Sequence, residues 1–203
     1  MAAAAAALVI YVIGAAVGIV WRAWWQWKRT GSTGLRGVSG HVGSAEWFGG
    51  AGLILGVLMT FAAPILQLAG VVAPVPLLRM PWIQWSGVAI SVVGIAATVY
   101  AQLAMGDSWR IGVDDSERTT LVRSGVFGVV RNPIYVGMFT FWLGTTLITP
   151  TIIAIVGYVV VVASIELQVR LVEEPYLMTV HGDAYREYTS AVGRFAPRVG
   201  LIR

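Results

Sequence analysis

The chain has 203 residues, of which 57% are hydrophobic and only 12% are charged, and its formal net charge is +4. Because soluble domains carry about 25% charged residues, this composition indicates a membrane protein, organised as a single domain over residues 1–203. The absence of cysteine excludes disulfides, thiolate nucleophiles and cysteine-bound metal, and the two histidines match no metal-ligand spacing.

The first apolar run, Ala2 to Val20, is long enough to span a bilayer. No basic region precedes it, and tryptophans interleaved with basic residues follow it, so we expect an uncleaved anchor rather than a signal peptide. An aromatic and basic run could also stack on nucleic acid. Its place at the end of an apolar helix favours a membrane interface instead, and no nucleic-acid partner is expected.

Four further apolar runs predict four more spans. The second lies at about Phe48 to Leu68 and the third at about Trp82 to Leu103. The fourth begins at Pro133 and stops before Pro150, and the fifth runs from Thr151 to about Ile165. Helices as short as these last two rise only about 23 Å, against a hydrocarbon core of about 30 Å. We therefore expect a helical hairpin whose turn stays inside the outer leaflet, with the fifth helix continuing past the bilayer.

The distribution of charge among the loops predicts the topology. The basic residues divide as four in 21–47, one in 69–81, four in 104–132 and five in 166–203. Under the positive-inside rule, the N-terminus is outside and the three basic segments are cytoplasmic. All ten acidic residues fall on that same side, so an active site is expected to face the cytoplasm. Arginine far outnumbers lysine, which is typical of a GC-rich bacterial genome and predicts the bacterial inner membrane.

The expected fold is therefore all-α and integral to the membrane, with five transmembrane helices. Residues 1–103 hold three spans, and residues 104–203 hold the hairpin and the longest polar segments. No internal repeat is evident, which argues against a transporter built from inverted repeats.

A first block of interest, residues 121–144, joins a polar approach to the fourth span through Arg131-Asn132-Pro133. Pro133 fits the first turn of a helix, where its missing N–H costs nothing. Asn132 stands at the N-cap position, which Asn favours. The helix N-terminus, with Arg131 beside it, would offer a site for an anionic group.

A second block follows the fifth span, with RLVEEPYL from Arg170 to Leu177 and HGDAYREY from His181 to Tyr188. On an α-helix, Arg170, Glu173, Glu174 and Leu177 share a face. Alone, this pattern indicates an exposed helix with an intrahelical Arg–Glu pair. Charges held at a membrane surface near another helix N-terminus are more often functional.

Together the two blocks resemble the isoprenylcysteine carboxyl methyltransferase and phospholipid methyltransferase superfamily of integral membrane enzymes. The resemblance covers about 104–198. The residues that carry it are Thr120-Leu121-Val122, Gly125, Phe127, Arg131 to Gly137, Glu173 to Leu177, His181-Gly182, Tyr185 and Tyr188. Three positions depart from the family pattern: Asn132 replaces a commoner histidine, His181 replaces phenylalanine, and Arg170 lies three residues before Glu173 rather than four.

The resemblance implies S-adenosyl-L-methionine as methyl donor, and a lipophilic small-molecule or lipid-anchored acceptor that arrives from the membrane lipids. The cofactor-binding residues that it implies are Thr119, Thr120, Leu121, Val122, Phe127, Asn132, Pro133, Ile134, Tyr135 and Glu173. Phe127 and Tyr135 would pack against adenine, and the helix N-terminus would receive the donor's carboxylate. Glu173 would pair with the ammonium or ribose hydroxyls. Arg170 and Glu173 are the implied catalytic residues, with Arg170 holding or polarising the acceptor.

We therefore expect a membrane methyltransferase acting on a carboxylate, amine or thiol of a lipophilic acceptor. The alternatives are an NADPH-dependent reductase of the sterol-reductase type and a non-enzymatic scaffold. The Glu173-Glu174 pair favours the methyltransferase, and no GxGxxG fingerprint is present. A scaffold leaves the concentration of charge at Arg131 and Arg170 unexplained.

The last expectation concerns the C-terminal chain, residues 166–198. Both blocks must touch one small molecule, so this chain should fold back over the loop 104–132 as a cytoplasmic helical lid. A stripe of Tyr185, Tyr188 and Val192 would then pack on apolar partners. The nearest candidates for those partners are Trp109, Val126 and Phe127.

Overall fold

A computed structural model of the protein describes residues 1–34, 40–106, 109 and 121–202. These residues form six helices, with 3₁₀ turns at Pro76–Leu78 and Gly125–Gly128. The helices are α1 Ala2–Thr30, α2 Ala45–Leu68, α3 Pro81–Met105, α4 Pro133–Ile148, α5 Ile152–His181 and α6 Asp183–Ala191. Within the described residues no strand forms, and only two isolated β-bridges occur, Val130 with Gly193 and Ala196 with Val199.

The expected all-helical membrane architecture is confirmed, with four candidate spans among the described residues. Helices α1, α2, α3 and α5 are long and apolar enough to cross a bilayer, whereas α4 has only 16 residues. A helix of that length rises about 24 Å, so the five-span count stays a prediction. Helix α5 continues well past Ile165 to His181, as the helical character of that stretch predicted.

Local sequence explains where these helices begin. Ser44 caps α2 by accepting a hydrogen bond from the Trp47 backbone N–H, and Thr151 caps α5 by accepting one from Ala154. Pro81 and Pro133 occupy the first turns of α3 and α4, as proline prefers. Two helices also contain a wider π turn, at Ala16–Trp21 in α1 and at Val169–Glu173 in α5.

The bundle is assembled from two antiparallel pairs with small residues at their contact. In the pair of α3 and α4, a Cβ added at Gly94 would lie 2.3 Å from the Phe141 backbone nitrogen. In the pair of α2 and α5, a Cβ added at Gly56 would lie 2.8 Å from the Val161 nitrogen and 2.9 Å from the Gly157 carbonyl oxygen. Such close backbone approach is the usual way in which helices associate in lipid, where burial of apolar surface gives no driving force.

Helices α4 and α5 form the predicted hairpin, but each arm packs mainly against a different helix, α4 along α3 and α5 along α2. Between the arms lie large side chains, including Trp142, Ile165 and Val169. The turn at Pro150 is fully buried, and its carbonyl accepts a hydrogen bond from the Val75 N–H at 2.8 Å. The segment between α2 and α3 therefore covers the turn at one end of the bundle.

The described parts of the polar segments gather at the opposite end of the bundle. The Arg22 side chain, near the end of α1, donates to the Gly106 carbonyl at 2.7 Å and lies over the Trp109 ring at 4.4 Å. Trp109 is thus buried against α1, whereas a contact with the C-terminal chain was expected. At this same end lie the start of α4 and the continuation of α5, which carry the two sequence blocks.

Candidate functional site

The approach to α4 keeps Asn132 at the N-cap position, but its side chain does not cap the helix. Asn132 has φ −123° and ψ 58° and makes no side-chain cap hydrogen bond. Its Nδ2 donates instead to the Arg194 carbonyl at 3.3 Å, and its backbone N–H donates to the same carbonyl at 3.1 Å. The predicted side-chain cap at Asn132 is therefore wrong. The side-chain amide is bound instead by the Arg194 carbonyl, far along the sequence.

The C-terminal chain folds back onto the part of this approach that the structure describes, residues 121–132. The Arg131 N–H donates to the Gly193 carbonyl at 2.8 Å, next to the bridge between Val130 and Gly193. The Tyr188 hydroxyl donates to the Phe127 carbonyl at 2.5 Å. Burial raises the pKa of Tyr188 to about 12, so its hydroxyl remains a neutral donor at physiological pH.

Beneath this junction lies a buried cluster of three charged side chains, Arg131, Glu174 and Arg194, which we call the charged clasp. Arg131 Nη2 donates to Glu174 Oε1 at 2.6 Å. Arg194 binds Glu174 with two atoms, Nε to Oε1 at 2.8 Å and Nη2 to Oε2 at 2.7 Å. The hydrogen bond to Glu174 raises the pKa of Arg194 further, so this guanidinium stays charged.

Arg131 was expected beside a site for an external anion, and the structure gives it another role. Its side chain is only 1% exposed. Besides Glu174, it donates to three main-chain carbonyls of the C-terminal chain, those of Thr189, Val192 and Gly200. The anionic partner of Arg131 is thus internal, and its buried guanidinium is not presented to an external anion.

The neighbouring carboxylate, Glu173, faces α4. The Tyr135 hydroxyl donates to Glu173 Oε1 at 2.5 Å, and the two residues are 38 positions apart. This contact joins the two sequence blocks directly. It is the juxtaposition that a shared small-molecule site requires.

Arg170 lies apart from this contact. Its side chain is 55% exposed and pairs with Glu166 one turn earlier. The α-helical spacing assumed for Arg170, Glu173 and Glu174 does not hold, because Val169–Glu173 is a π turn. The three side chains consequently point to different surroundings. Arg170 pairs with Glu166 at the surface, Glu173 accepts a hydrogen bond from Tyr135, and Glu174 belongs to the clasp.

The remaining predicted cofactor residues differ in burial. Phe127 and Pro133 are buried, while Leu121, Val122, Asn132, Ile134 and Tyr135 are half-buried. Thr119 and Thr120 lie outside the described residues. A separate surface cavity of about 370 Å³ beside α6 contains none of the predicted residues. It is lined by Met178, Arg186, Glu187, Thr189, Ser190 and Ile202.

Sequence reasoning missed Arg194 and misjudged Glu174. The doubled glutamate signalled that one carboxylate had a special role, but not that the second would be enclosed by arginines. Arg194 carries no motif of its own, and a single arginine in a polar tail looks like a solvated one.

Comparison with known proteins places these blocks among methyltransferases. The sequence model for phospholipid methyltransferases matches residues 82–184. Two relatives bear the name protein-S-isoprenylcysteine O-methyltransferase. The Schizosaccharomyces pombe protein is 32% identical over 79 residues, 39% of this chain and 34% of the relative. The Xenopus laevis protein is 29% identical over 129 residues, 62% of this chain and 44% of the relative. The aligned segments therefore span less than half of either relative.

A solved structure has a similar fold. It is that of the eukaryotic intramembrane Ras methyltransferase ICMT (isoprenylcysteine carboxyl methyltransferase). The two structures agree with a TM-score of 0.53 at 22% identity, over 82% of this chain and 56% of that one.

Proposed function

Because this chain belongs to the phospholipid methyltransferase family, we propose that it is an integral membrane enzyme that transfers the methyl group of S-adenosyl-L-methionine to a lipophilic acceptor. The observation that carries the proposal is the hydrogen bond between Tyr135 and Glu173. It brings the two sequence blocks together at the polar end of the bundle. The two relatives described above are both named as methyltransferases, and no observation favours the reductase alternative.

The residues at this end fit the donor's chemistry. S-adenosylmethionine carries both positive and negative groups, and the site offers a carboxylate at Glu173 and a helix N-terminus at Pro133. Glu173 would pair with the ammonium or the ribose hydroxyls, and the first N–H groups of α4 would receive the carboxylate. Tyr135 and Phe127 would contact adenine, with Ile134, Leu121 and Val122 beside them. Thr119 and Thr120 complete the proposed set.

The donor supplies an already activated methyl carbon, so the protein needs no covalent nucleophile. Its residues must align donor and acceptor in line and exclude water. Glu173 would hold the donor's orientation. Arg170, exposed at the surface three residues before Glu173, would exchange Glu166 for an anionic group of the acceptor and so orient the nucleophile.

The acceptor is proposed to be a prenylcysteine-like carboxylate, a lipid amine or a thiol, on a small molecule or a lipid anchor. It would reach the site laterally from the bilayer, while the donor enters from the cytoplasm. The basic segments at the polar end support a cytoplasmic site under the positive-inside rule. In this arrangement α4 is the fourth of five spans, its turn with α5 staying in the outer leaflet, and the C-terminal chain is the lid over the donor.

The experiment that tests this function compares two ligands by thermal shift of the full chain purified in detergent. S-adenosylhomocysteine at about 100 times its dissociation constant should stabilise the fold by about 2.7 kcal/mol and raise the melting temperature. NADPH should have no effect. A shift with NADPH alone would favour the reductase, and the Glu173→Gln variant is the control whose response to S-adenosylhomocysteine should be clearly reduced.

A further inference from the structure

Arg194 lies beyond the residues that match the family, 82–184, yet it contacts both sequence blocks. Its guanidinium binds both oxygens of Glu174, at 2.8 and 2.7 Å. Its carbonyl accepts hydrogen bonds from the backbone and the side chain of Asn132, at 3.1 and 3.3 Å. One residue of the tail therefore joins the start of α4 to the π turn of α5.

The side-chain contact controls the orientation of the second block. Glu173 is the last residue of the π turn Val169–Glu173, and Glu174 immediately follows it. The Arg194 side chain is 11% exposed and that of Glu174 7% exposed, so the two-point contact is shielded from water. Two parallel hydrogen bonds fix the carboxylate in direction as well as position. With Glu174 held inward, the Glu173 carboxylate is left on the side of Tyr135.

The main-chain contact holds Asn132 of the first block in place, and the backbone geometry of the tail fixes the direction of the Arg194 carbonyl. The Arg194 N–H donates to the Val199 carbonyl at 2.8 Å, closing a tight turn. At the preceding residue, Gly193, an added Cβ would lie 2.0 Å from the Ala196 carbonyl oxygen. Only glycine fits there, so the backbone is held with the Arg194 carbonyl facing Asn132.

We propose that Arg194 is a positioning residue for the methyl-donor site, acting on Glu173 through Glu174 and on Asn132 through its own carbonyl. The proposal rests on the proposed function, since it concerns affinity for the donor. Arg194 does not itself touch the donor. It fixes the relative position of the two groups that do.

The test measures S-adenosylhomocysteine binding by calorimetry on the purified full chain, in three variants. Arg194→Gln should raise the dissociation constant at least tenfold while the molar ratio of binding stays that of the wild type. Arg194→Lys should give a smaller increase, because an ammonium keeps the charge but lacks the planar fork. Arg186→Gln is the matched control, since Arg186 is an exposed arginine of α6 that pairs with Asp183 three residues earlier, and the affinity of this variant should be unchanged.

A purely structural role predicts a different pattern. In that case the fraction of binding-competent protein and the melting temperature would fall. The protein that still binds would do so with an unchanged dissociation constant, and this result would overturn the proposal. If Arg194→Gln does not fold, Arg194→Lys carries the same comparison. A wild-type chain that binds no S-adenosylhomocysteine would remove the proposed function, and the role of Arg194 with it.

The double variant Arg194→Gln with Glu174→Gln tests the route. If Arg194 acts on Glu173 through Glu174, the side-chain effects are not additive, and the double variant should bind no more weakly than Glu174→Gln alone. If the double variant instead raises the dissociation constant by the product of the two single-variant increases, Arg194 does not act through Glu174.

Discussion

Glu173 and Glu174 are chemically identical neighbours with different surroundings. Glu174 is enclosed by two guanidinium groups that neutralise it, while Glu173 accepts a hydrogen bond from the Tyr135 hydroxyl. A buried carboxylate whose charge is fully paired inside the protein has little left to offer a ligand. This difference supports the proposed role of Glu173 toward the donor and an architectural role for Glu174.

Glu173→Gln should weaken donor binding while the protein still folds. The amide keeps a partner for Tyr135 but removes the charge that would face the donor's ammonium or hydroxyls. Hydrogen bonds to charged groups contribute about 1.5–3 kcal/mol, so the dissociation constant should rise at least tenfold in calorimetry. Glu166→Gln, which removes the partly exposed partner of Arg170, is the control. Equal affinity in the Glu173 variant and the wild type would remove Glu173 from the site.

Arg170→Gln should act on the acceptor alone. The Arg170 side chain is 55% exposed, and its pair with Glu166 is a surface pair worth about 0–1 kcal/mol. The melting temperature and the donor affinity should therefore stay near the wild-type values. Steady-state kinetics with a carboxylate-bearing lipophilic acceptor should show a raised KM for that acceptor. A loss of donor affinity instead would place Arg170 on the donor.

At the scale of the helices, the small-residue contact between α3 and α4 makes a specific demand on Gly144. A Cβ added there would lie 2.4 Å from the Ser91 nitrogen and 2.6 Å from the Gly87 carbonyl oxygen. Both are backbone atoms, which cannot move aside as a side-chain end could. Overpacking of this kind costs about 1–3 kcal/mol, so Gly144→Ala should lower the melting temperature.

The control for this prediction is Gly18→Ala. Nothing lies within 4 Å of a Cβ added at Gly18, and alanine is the better helix former by up to about 1 kcal/mol. That variant should match or exceed the stability of the wild type. If both alanine variants melt alike, the contact between α3 and α4 is looser than the distances indicate.

Helices α1 to α5 could be predicted from sequence because each contains a long apolar run bounded by polar residues, proline or a capping side chain. The π turn Val169–Glu173 could not be predicted. Its position depends on which partners Glu173 and Glu174 find on α4 and in the tail, and no local pattern encodes those partners. The choice of α3 rather than α5 as the main neighbour of α4 depends likewise on glycines that meet only in three dimensions.

At the scale of the whole molecule, the charge partition predicts the orientation in the membrane. Ala73 is exposed in the connection between α2 and α3, and Val42 is 79% exposed just before α2. Single cysteines at these positions should be labelled by an impermeant reagent from opposite sides of sealed vesicles. The cysteine-free background makes each label unambiguous. Labelling of both from one side would contradict the predicted topology.

The part of the candidate site that lies within the two sequence blocks could be predicted from sequence. Tyr135 and Glu173 were expected together because both blocks must reach one ligand, and they are in contact. Arg131 was expected to be available for an external anion because its neutralising partner, Glu174, lies 43 residues further along the chain. Pairing over such a separation follows from how α5 returns to the start of α4, which composition and spacing do not specify.

Removal of residues 192–203 should leave a membrane-inserted protein with little affinity for the donor. The deletion takes away the Arg194 guanidinium from Glu174 and the Val192 and Gly200 carbonyls from Arg131. Loss of one partner from a buried ion pair typically costs about 3–5 kcal/mol, and here the loss falls beside Glu173 and Asn132. The apolar spans do not depend on these contacts, so membrane fractionation should find the truncated chain with the wild type.

The matched control for this truncation ends at Leu201, which keeps the clasp and leaves the Thr189, Val192 and Gly200 carbonyls that Arg131 binds as ordinary amide carbonyls. This shorter deletion removes only the end of the chain, where the Ile202 N–H donates to the Thr189 carbonyl at 3.1 Å. It should bind S-adenosylhomocysteine as the full chain does, because the groups that hold α4 against α5 remain in place. If the longer truncation also binds like the full chain, the tail neither closes the donor site nor orients it, since α4 and α5 would then hold Tyr135 and Glu173 together unaided.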